Sequence, residues 1–217
     1  MADDCGASPN ADAEYSESDS ETDWMPFTGT TPDLVRNNFH THKTGTAAAS
    51  YLLSSKRLPA ATPVNKITRI LAHLNLSEAD VVYDLGCGDG RVLVECARKN
   101  NCSGVGIDLD ARLLQRARAN AERHQVHRRV IFLKENILDP QLNLSAATVV
   151  FLYLLPDALS VLLPTLEKLA NDNNSQLKKI VSVGWPLPGV RAAVNNLVEK
   201  FYIYEAGDLR SHAVASA

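Results

Sequence analysis

The chain has 217 residues, of which 45% are apolar and 22% charged, close to the averages of folded globular proteins and enough for one well-cored domain, not two. A folded soluble protein is expected, and a chain disordered throughout is excluded. The formal net charge of -3 hides an asymmetry: the first 23 residues hold eight of the 25 acids and no Lys or Arg, so the remainder sets 17 acids against 22 basic residues, a net of +5.

The head, residues 1–24, has too little apolar surface to offset the entropy of ordering it and is expected to be disordered. Ser16, Ser18 and Ser20 are each followed by an acid, which reads as a set of phosphorylation sites, or the head shields a basic surface on the body; a plain solvated tail is the simpler alternative. An organellar transit peptide is Arg-rich and acid-poor, so the expected compartment is the cytoplasm, with the nucleus second and the mitochondrion disfavoured. Residues 25–57 form an irregular segment broken by Gly29, Pro32 and Gly45, with a weak helical stretch near Ala47 to Leu53.

A third segment, 58–210, is expected to be the domain proper. Thr62-Pro63 reads as an N-cap followed by proline at the first helical position, and Val64, Ile67, Ile70, Leu71 and Leu74 recur at helical spacing, predicting a helix over 63–75. Strand 81–85, the turn Gly86-Cys-Gly-Asp-Gly90, a helix to about Lys99 and strand 104–108 follow. A helix over 110–124, strand 129–133, strand 148–153, helix 157–170, strand 179–184 and a last strand near 201–205 complete the pattern. Strands separated by helices imply a mostly parallel sheet with helices on both faces. The longest apolar run, TVVFLYLLPDALSVLL, is interrupted by Pro156 and Asp157, so no membrane span is expected. Cys5, Cys87, Cys96 and Cys102 show no metal-ligand spacing; no metal is expected, and Cys96 and Cys102 read as packing residues.

The turn after the first strand carries the chemistry. Glycines at 86, 88 and 90 let the backbone approach a ligand closely, and the following helix offers free N–H groups. A nicotinamide turn reads Gly-x-Gly-x-x-Gly and takes a pyrophosphate, whereas here the spacing is Gly-x-Gly-x-Gly between Asp84 and Asp89. Carboxylates repel a pyrophosphate and attract an ammonium or sulfonium group. Asp108, ending the second strand, stands where an acid accepts from ribose hydroxyls; alternatively it caps the next helix. A ribose, a cationic centre and an amino-acid tail together describe S-adenosyl-L-methionine.

On these residues the chain resembles the class I S-adenosylmethionine-dependent methyltransferases, α/β proteins of Rossmann-like fold. The resemblance implies that Asp84, Gly86, Cys87, Gly88, Gly90 and Asp108 bind the donor, and that its adenine packs near Leu109 and the Glu135-Asn136-Ile137 stretch. Asn136 and Ile137 are the expected contacts, Asn136 accepting through its side-chain oxygen or else serving only as a turn residue. The acceptor is expected beyond the fourth strand, near Tyr153, Pro156 and Trp185, which read as an apolar substrate channel or as core residues.

A narrower resemblance spans about Leu58 to Glu205. Leu58-Pro-Ala-Ala-Thr-Pro63, Val82-Tyr-Asp-Leu-Gly-Cys-Gly-Asp-Gly-Arg-Val92, Phe151-Leu-Tyr-Leu-Leu-Pro156 and Val181-Ser-Val-Gly-Trp-Pro-Leu-Pro188 are similar to a small lysine methyltransferase family. Its eukaryotic members modify the adenine nucleotide translocase and the ATP synthase c-subunit. The family commonly has Ser where Cys87 stands, and the mitochondrial members carry an apolar N-terminal segment in place of this acidic head. The resemblance implies methyl transfer to an accessible lysine of a protein, with no nucleic acid as partner. A small-molecule acceptor and a non-catalytic S-adenosylmethionine-binding module stay open as alternatives.

Overall fold

The computed structural model describes residues 61–215, so the head, the whole irregular segment 25–57 and the weak helix near 47–53 within it lie outside the described residues. In chain order the elements are α1 (Val64–Leu74), β1 (Val81–Leu85), α2 (Arg91–Asn100), β2 (Ser103–Asp108), α3 (Ala111–Arg123) and β3 (Val130–Lys134). Then come β4 (Val149–Leu152), α4 (Pro156–Asn171), β5 (Lys179–Val183), β6 (Val194–Asn196), β7 (Phe201–Glu205) and α5 (Ala206–Ala215). Among the described residues no helix is long and apolar enough to cross a membrane; the apolar run from 148 to 163 is split into β4 and the start of α4.

The seven strands form one sheet in the order β3-β2-β1-β4-β5-β7-β6. The first five are parallel, and β7 enters antiparallel beside β5, with β6 antiparallel on its outer edge. Sheet order therefore reverses between β1 and β4, the position where open α/β sheets leave a crevice at their carboxyl ends. Strands buried on both faces explain the unbroken apolar runs. Val81, Tyr83 and Leu85 point into the core shared with α4 and α5, while Val82, Phe151 and Val181 point into the core under α1, α2 and α3.

The predicted elements recur within a residue or two of their expected bounds, with one shift at α1. Pro63, in extended conformation, is itself the N-cap, and the cap makes no side-chain hydrogen bond; the Pro63 carbonyl accepts from the Lys66 and Ile67 N–H groups, so the helix starts one residue late. Asn75 and Asn101 end α1 and α2 in left-handed conformation, which Asn tolerates better than most residues. β6 and α5 were not expected: β6 is three residues, Val-Asn-Asn, at the sheet edge, too short to alternate, and the Gly and Ser of α5 blur its helical signal.

The amino ends of the strands are tied by Asp80. Its carboxylate accepts from Ser77 N and Oγ at 2.9 Å and from Lys178 Nζ at 2.8 Å, joining the approaches to β1 and β5. Burial would raise its pKa, but the hydrogen bonds from Lys178 and Ser77 outweigh that and hold it at about 2. A folded pKa below the unfolded value gives stability that is complete above pH 4 and lost as pH falls toward 2. Asp80→Ala is expected to cost about 1 to 2 kcal/mol in urea unfolding at pH 7, the low end for bonds to a charged group because Lys178 is solvent-exposed. The deficit should shrink toward pH 2, and an equal deficit at pH 2 and 7 would refute the assignment.

Candidate functional site

At the carboxyl edge, above the β1–β4 reversal, lies a cleft of about 480 Å³, within the range of small-molecule sites. β1 delivers Asp84 to its floor. The chain then turns through Gly86, Gly88 and Gly90, all at positive φ (85°, 54° and 71°), a conformation that glycine adopts without cost. The turn is fastened to β2: Gly86 N and Cys87 N both donate to Ile107 O, at 2.8 and 3.0 Å, and Gly88 N donates to Asp108 Oδ2 at 2.9 Å.

Gly88 and Gly90 serve different ends. A Cβ on Gly88 would meet nothing within 4 Å, and this residue lines the cleft. One on Gly90 would stand 2.7 Å from the Phe132 ring and 2.9 Å from Ala117; Gly90 is buried and sets how closely α2 packs on β3 and α3. Gly106, in β2, is equally constrained, since a Cβ there would lie 2.6 Å from Phe132 and 2.9 Å from Cys87 Sγ.

Five carboxylates face the cleft, those of Asp84, Asp89, Asp108, Asp110 and Glu135, against the guanidiniums of Arg91 and Arg116. Arg91 is already committed to Asp89, with Nε 2.8 Å from Oδ1, and this pairing lowers the Asp89 pKa despite partial burial. Asp84 has no such partner. Burial, then the nearby Asp108 and Asp89 charges, push its pKa up to about 8, so the unliganded cleft holds a carboxyl group that a cation would ionise. Asp108 does not cap α3; Asp110 does, accepting from Arg112 N and Leu113 N. One oxygen of Asp108 holds Gly88 N and the other holds Asp110 N at 2.9 Å, which fixes the carboxylate at the rim.

Of the residues expected to bind a donor, Asp84, Gly86, Cys87, Gly88, Asp108, Leu109 and Ile137 line this one cleft. Leu109 is 39% exposed there although apolar. Gly90 and Asn136 do not line it. Asn136 turns its Oδ1 onto Leu138 N at 3.0 Å, as a turn residue does, and Glu135, the first residue beyond β3, faces the cleft instead. Of the three channel residues only Tyr153 reaches the cleft. Trp185 stands behind it, ring centroids 6.3 Å apart, and Pro156 is the exposed first residue of α4. Gly184, at φ 87°, makes room for the Tyr153 ring, 3.1 Å from where a Cβ would be. Cys87 is buried, and burial with the Asp84 and Asp108 charges raises its thiol pKa far above the ordinary value, the opposite of the shift that activates a thiolate nucleophile.

A family profile described as the ANTKMT methyltransferase domain matches residues 84–194, just over half of the chain. The chain belongs to this family. It is an S-adenosylmethionine-dependent methyltransferase of Rossmann-like class I fold. The methyltransferase is 31% identical over 150 residues to a protein-lysine N-methyltransferase of Saccharolobus islandicus (strain REY15A), a match covering 68% of this chain and 92% of that protein. It is 25% identical over 125 residues to a Caenorhabditis elegans lysine N-methyltransferase named for the ATP synthase c-subunit, covering 58% and 62%. Among solved structures, an RNA methyltransferase from Salinibacter ruber in complex with S-adenosyl-L-homocysteine has a TM-score of 0.60 and 32% identity, covering 68% of this chain and 94% of that one.

The residues of the methyltransferase fit that donor. The cleft is acidic, as a donor with a permanent sulfonium charge and a tail ammonium requires, and the turn leaves open space at Gly88. Two lining groups had no strong sequence signal. Arg116 sits mid-helix in α3, and Ala61 and Thr62 reach the cleft from the Leu58–Pro63 stretch, which carries the family resemblance but no residue pattern that points to donor binding. Glu135 lies in the stretch expected near the adenine, but Asn136 was the contact expected there; Glu135, the first residue beyond β3, is the one that lines the cleft.

Proposed function

We propose that this methyltransferase acts on a lysine side chain of a protein, the reading best supported by its 31% identity to a protein-lysine N-methyltransferase across 92% of that protein. In this reading Asp84 receives the donor's ammonium, Asp108 accepts from the ribose hydroxyls, and Leu109 and Ile137 hold the adenine between them. Glu135, not Asn136, accepts from the exocyclic amine. When bound, the donor supplies a sulfonium methyl group for in-line displacement. The chain's part is to align an incoming nitrogen past Tyr153, so that the N–C bond forms as the C–S bond breaks. The amine must arrive neutral; the apolar wall of Phe151, Tyr153 and Leu154 disfavours an ammonium there and promotes its deprotonation. The acidic head accords with a cytoplasmic place of action.

Asp108→Ala is expected to weaken donor binding about 10- to 100-fold in calorimetry, the loss of bonds to a charged acceptor worth about 1.5 to 3 kcal/mol. Asp108→Asn, which keeps an acceptor at the same place, should lose less. Equal affinity of wild type and a folded Asp108→Ala chain would remove Asp108 from the site. For the acceptor, cell extract is incubated with the chain and methyl-labelled S-adenosylmethionine. Base-stable label on a protein band, mapping to lysine, is expected. Label confined to small molecules would overturn the lysine assignment, and label on RNA would move the acceptor to the class named for the Salinibacter relative.

A further inference from the structure

A second concavity, about 500 Å³, lies along α2 and α3 and is lined by Arg91, Glu95, Arg116, Asn120, Arg123 and His124 among others. Its charges do not cancel. Arg91 pairs with Asp89, and Glu95 pairs with both Arg98 and Lys99, which leaves Arg116 and Arg123 without an ion-pair partner among the described residues. From 111 to 130 the sequence holds six Arg and two His against the single acid Glu122. Arg118 and Arg129 are used structurally, on Phe132 O and Asn101 O, but Arg112, one turn ahead of Arg116, is exposed on the same helix. Arg112 and Arg123 lie outside the donor cleft, and with Arg116, which borders both cavities, they form a row of guanidiniums that suits an extended anion.

The complementary charge lies within the same chain. Residues 1–23 carry eight acids and no Lys or Arg. The described part begins beside the groove: Ala61 and Thr62 line the donor cleft and Val64 lines the groove. The 37 residues 24–60 can span up to about 120 Å at ~3.3 Å each, so chain length does not limit contact, and tethering raises the local concentration of the head to about the millimolar range. We propose that the acidic head, residues 1–23, docks in cis on the basic groove bounded by Arg116 and Arg123. Arg116 borders both the groove and the donor cleft, so the docked head lies at the cleft rim and competes with any external polyanion for the groove. Phosphate on Ser16, Ser18 or Ser20 would add about 1.5 to 2 negative charges each and tighten the contact. The proposal does not depend on the acceptor being lysine.

The chain offers its own reporter position. Cys87, Cys96 and Cys102 are buried free thiols, which leaves Cys5 as the residue to carry a nitroxide, with labelling checked by mass and by a Cys5→Ser chain. In the intact protein at low salt, broadening of backbone amide signals is expected over Arg116 to His124 and along α2, and to fade at about 0.5 M salt, where screening is several-fold shorter-ranged than at low salt. It should also fade in Arg116→Glu/Arg123→Glu, and in a chain whose eight head acids are replaced by Asn and Gln, a change that leaves the described domain untouched. Broadening that is absent, spread evenly over the surface, or unchanged in the head-neutralised chain would overturn cis docking. A short RNA that shifts the groove signals equally in the native and head-neutralised chains would also overturn it, and assign the groove to nucleic acid.

Discussion

Binding of S-adenosylmethionine at pH 6 to 7 is expected to release most of one proton per site, and the release should vanish in Asp84→Asn. Asp84 is buried, its pKa is raised to about 8 by burial and by Asp108 and Asp89, and at pH 7 most unliganded molecules hold it protonated. A bound sulfonium and ammonium favour the carboxylate, so the bound pKa falls. Affinity should then rise with pH up to about 8, at most tenfold per unit, and level off above it. Isothermal titration in buffers of differing ionisation enthalpy measures the proton count directly. Asp84→Asn removes the charge with little change of shape and should weaken binding by about 100-fold at pH 8, with no pH slope from 6 to 8. The sign for stability is opposite. Because the folded pKa lies above the unfolded one, the unliganded fold holds a proton that the unfolded chain has lost above pH 4, and stability falls as pH rises from 4 to 8. Asp84→Asn should flatten that fall in the unliganded Tm. A wild-type chain that binds the donor without releasing a proton would exclude Asp84 as the cation's partner.

The parts of the site legible in the sequence are those fixed by the backbone. Asp84, the glycine turn and Asp108 sit at the ends of β1 and β2, so once 81–85 and 104–108 are strands in a parallel sheet, their terminal residues must meet at the crevice. Leu109, the first residue beyond β2, follows by the same logic; Ile137, three residues beyond β3, was expected only from the resemblance. The departures from expectation fall where a side chain had a choice. Asn136 and Glu135 are neighbours past β3, and the short amide satisfies its own loop through Leu138 N while the longer acid faces the cleft. Trp185 and Pro156 lie in segments that mark the family, yet neither lines the cleft, and Trp185 reaches it only through its ring contact with Tyr153. The nearby loop is held by its own bond, Leu187 N donating to the buried Tyr204 Oη at 2.7 Å. Long-range pairings of this kind leave no periodic trace. Nor does a concave groove between two helices: the basic run from Arg112 to Arg129 is plain in the sequence, but which of its arginines turn inward is decided by the carbonyls at 101 and 132.

Gly88 and Gly90, two residues apart in one motif, should fail in different ways when each is changed to Ala. Both hold positive φ, 54° and 71°, which costs an L-residue about 1 to 2 kcal/mol. At Gly90 the new methyl would also lie 2.7 Å from Phe132 and 2.9 Å from Ala117, in the core between α2, α3 and β3. Overpacking of that kind adds about 1 to 3 kcal/mol, for a total of about 2 to 5 kcal/mol and a fall in Tm of roughly 5 to 15 °C for a domain of this size. At Gly88 the methyl meets no atom within 4 Å and stands in the cleft lining, where the proposed reading brings the donor against the backbone. Gly88→Ala should therefore lower Tm by only a few degrees while weakening donor binding more than tenfold. Gly90→Ala, assayed at a temperature where it stays folded, should bind the donor within a few-fold of wild type. Thermal unfolding without donor and titration calorimetry on the two variants separate the roles. The division would be refuted if Gly88→Ala bound the donor as wild type does, or if Gly90→Ala unfolded at the wild-type temperature, since the first would place the cleft elsewhere and the second would mean that α2 does not rest on Phe132.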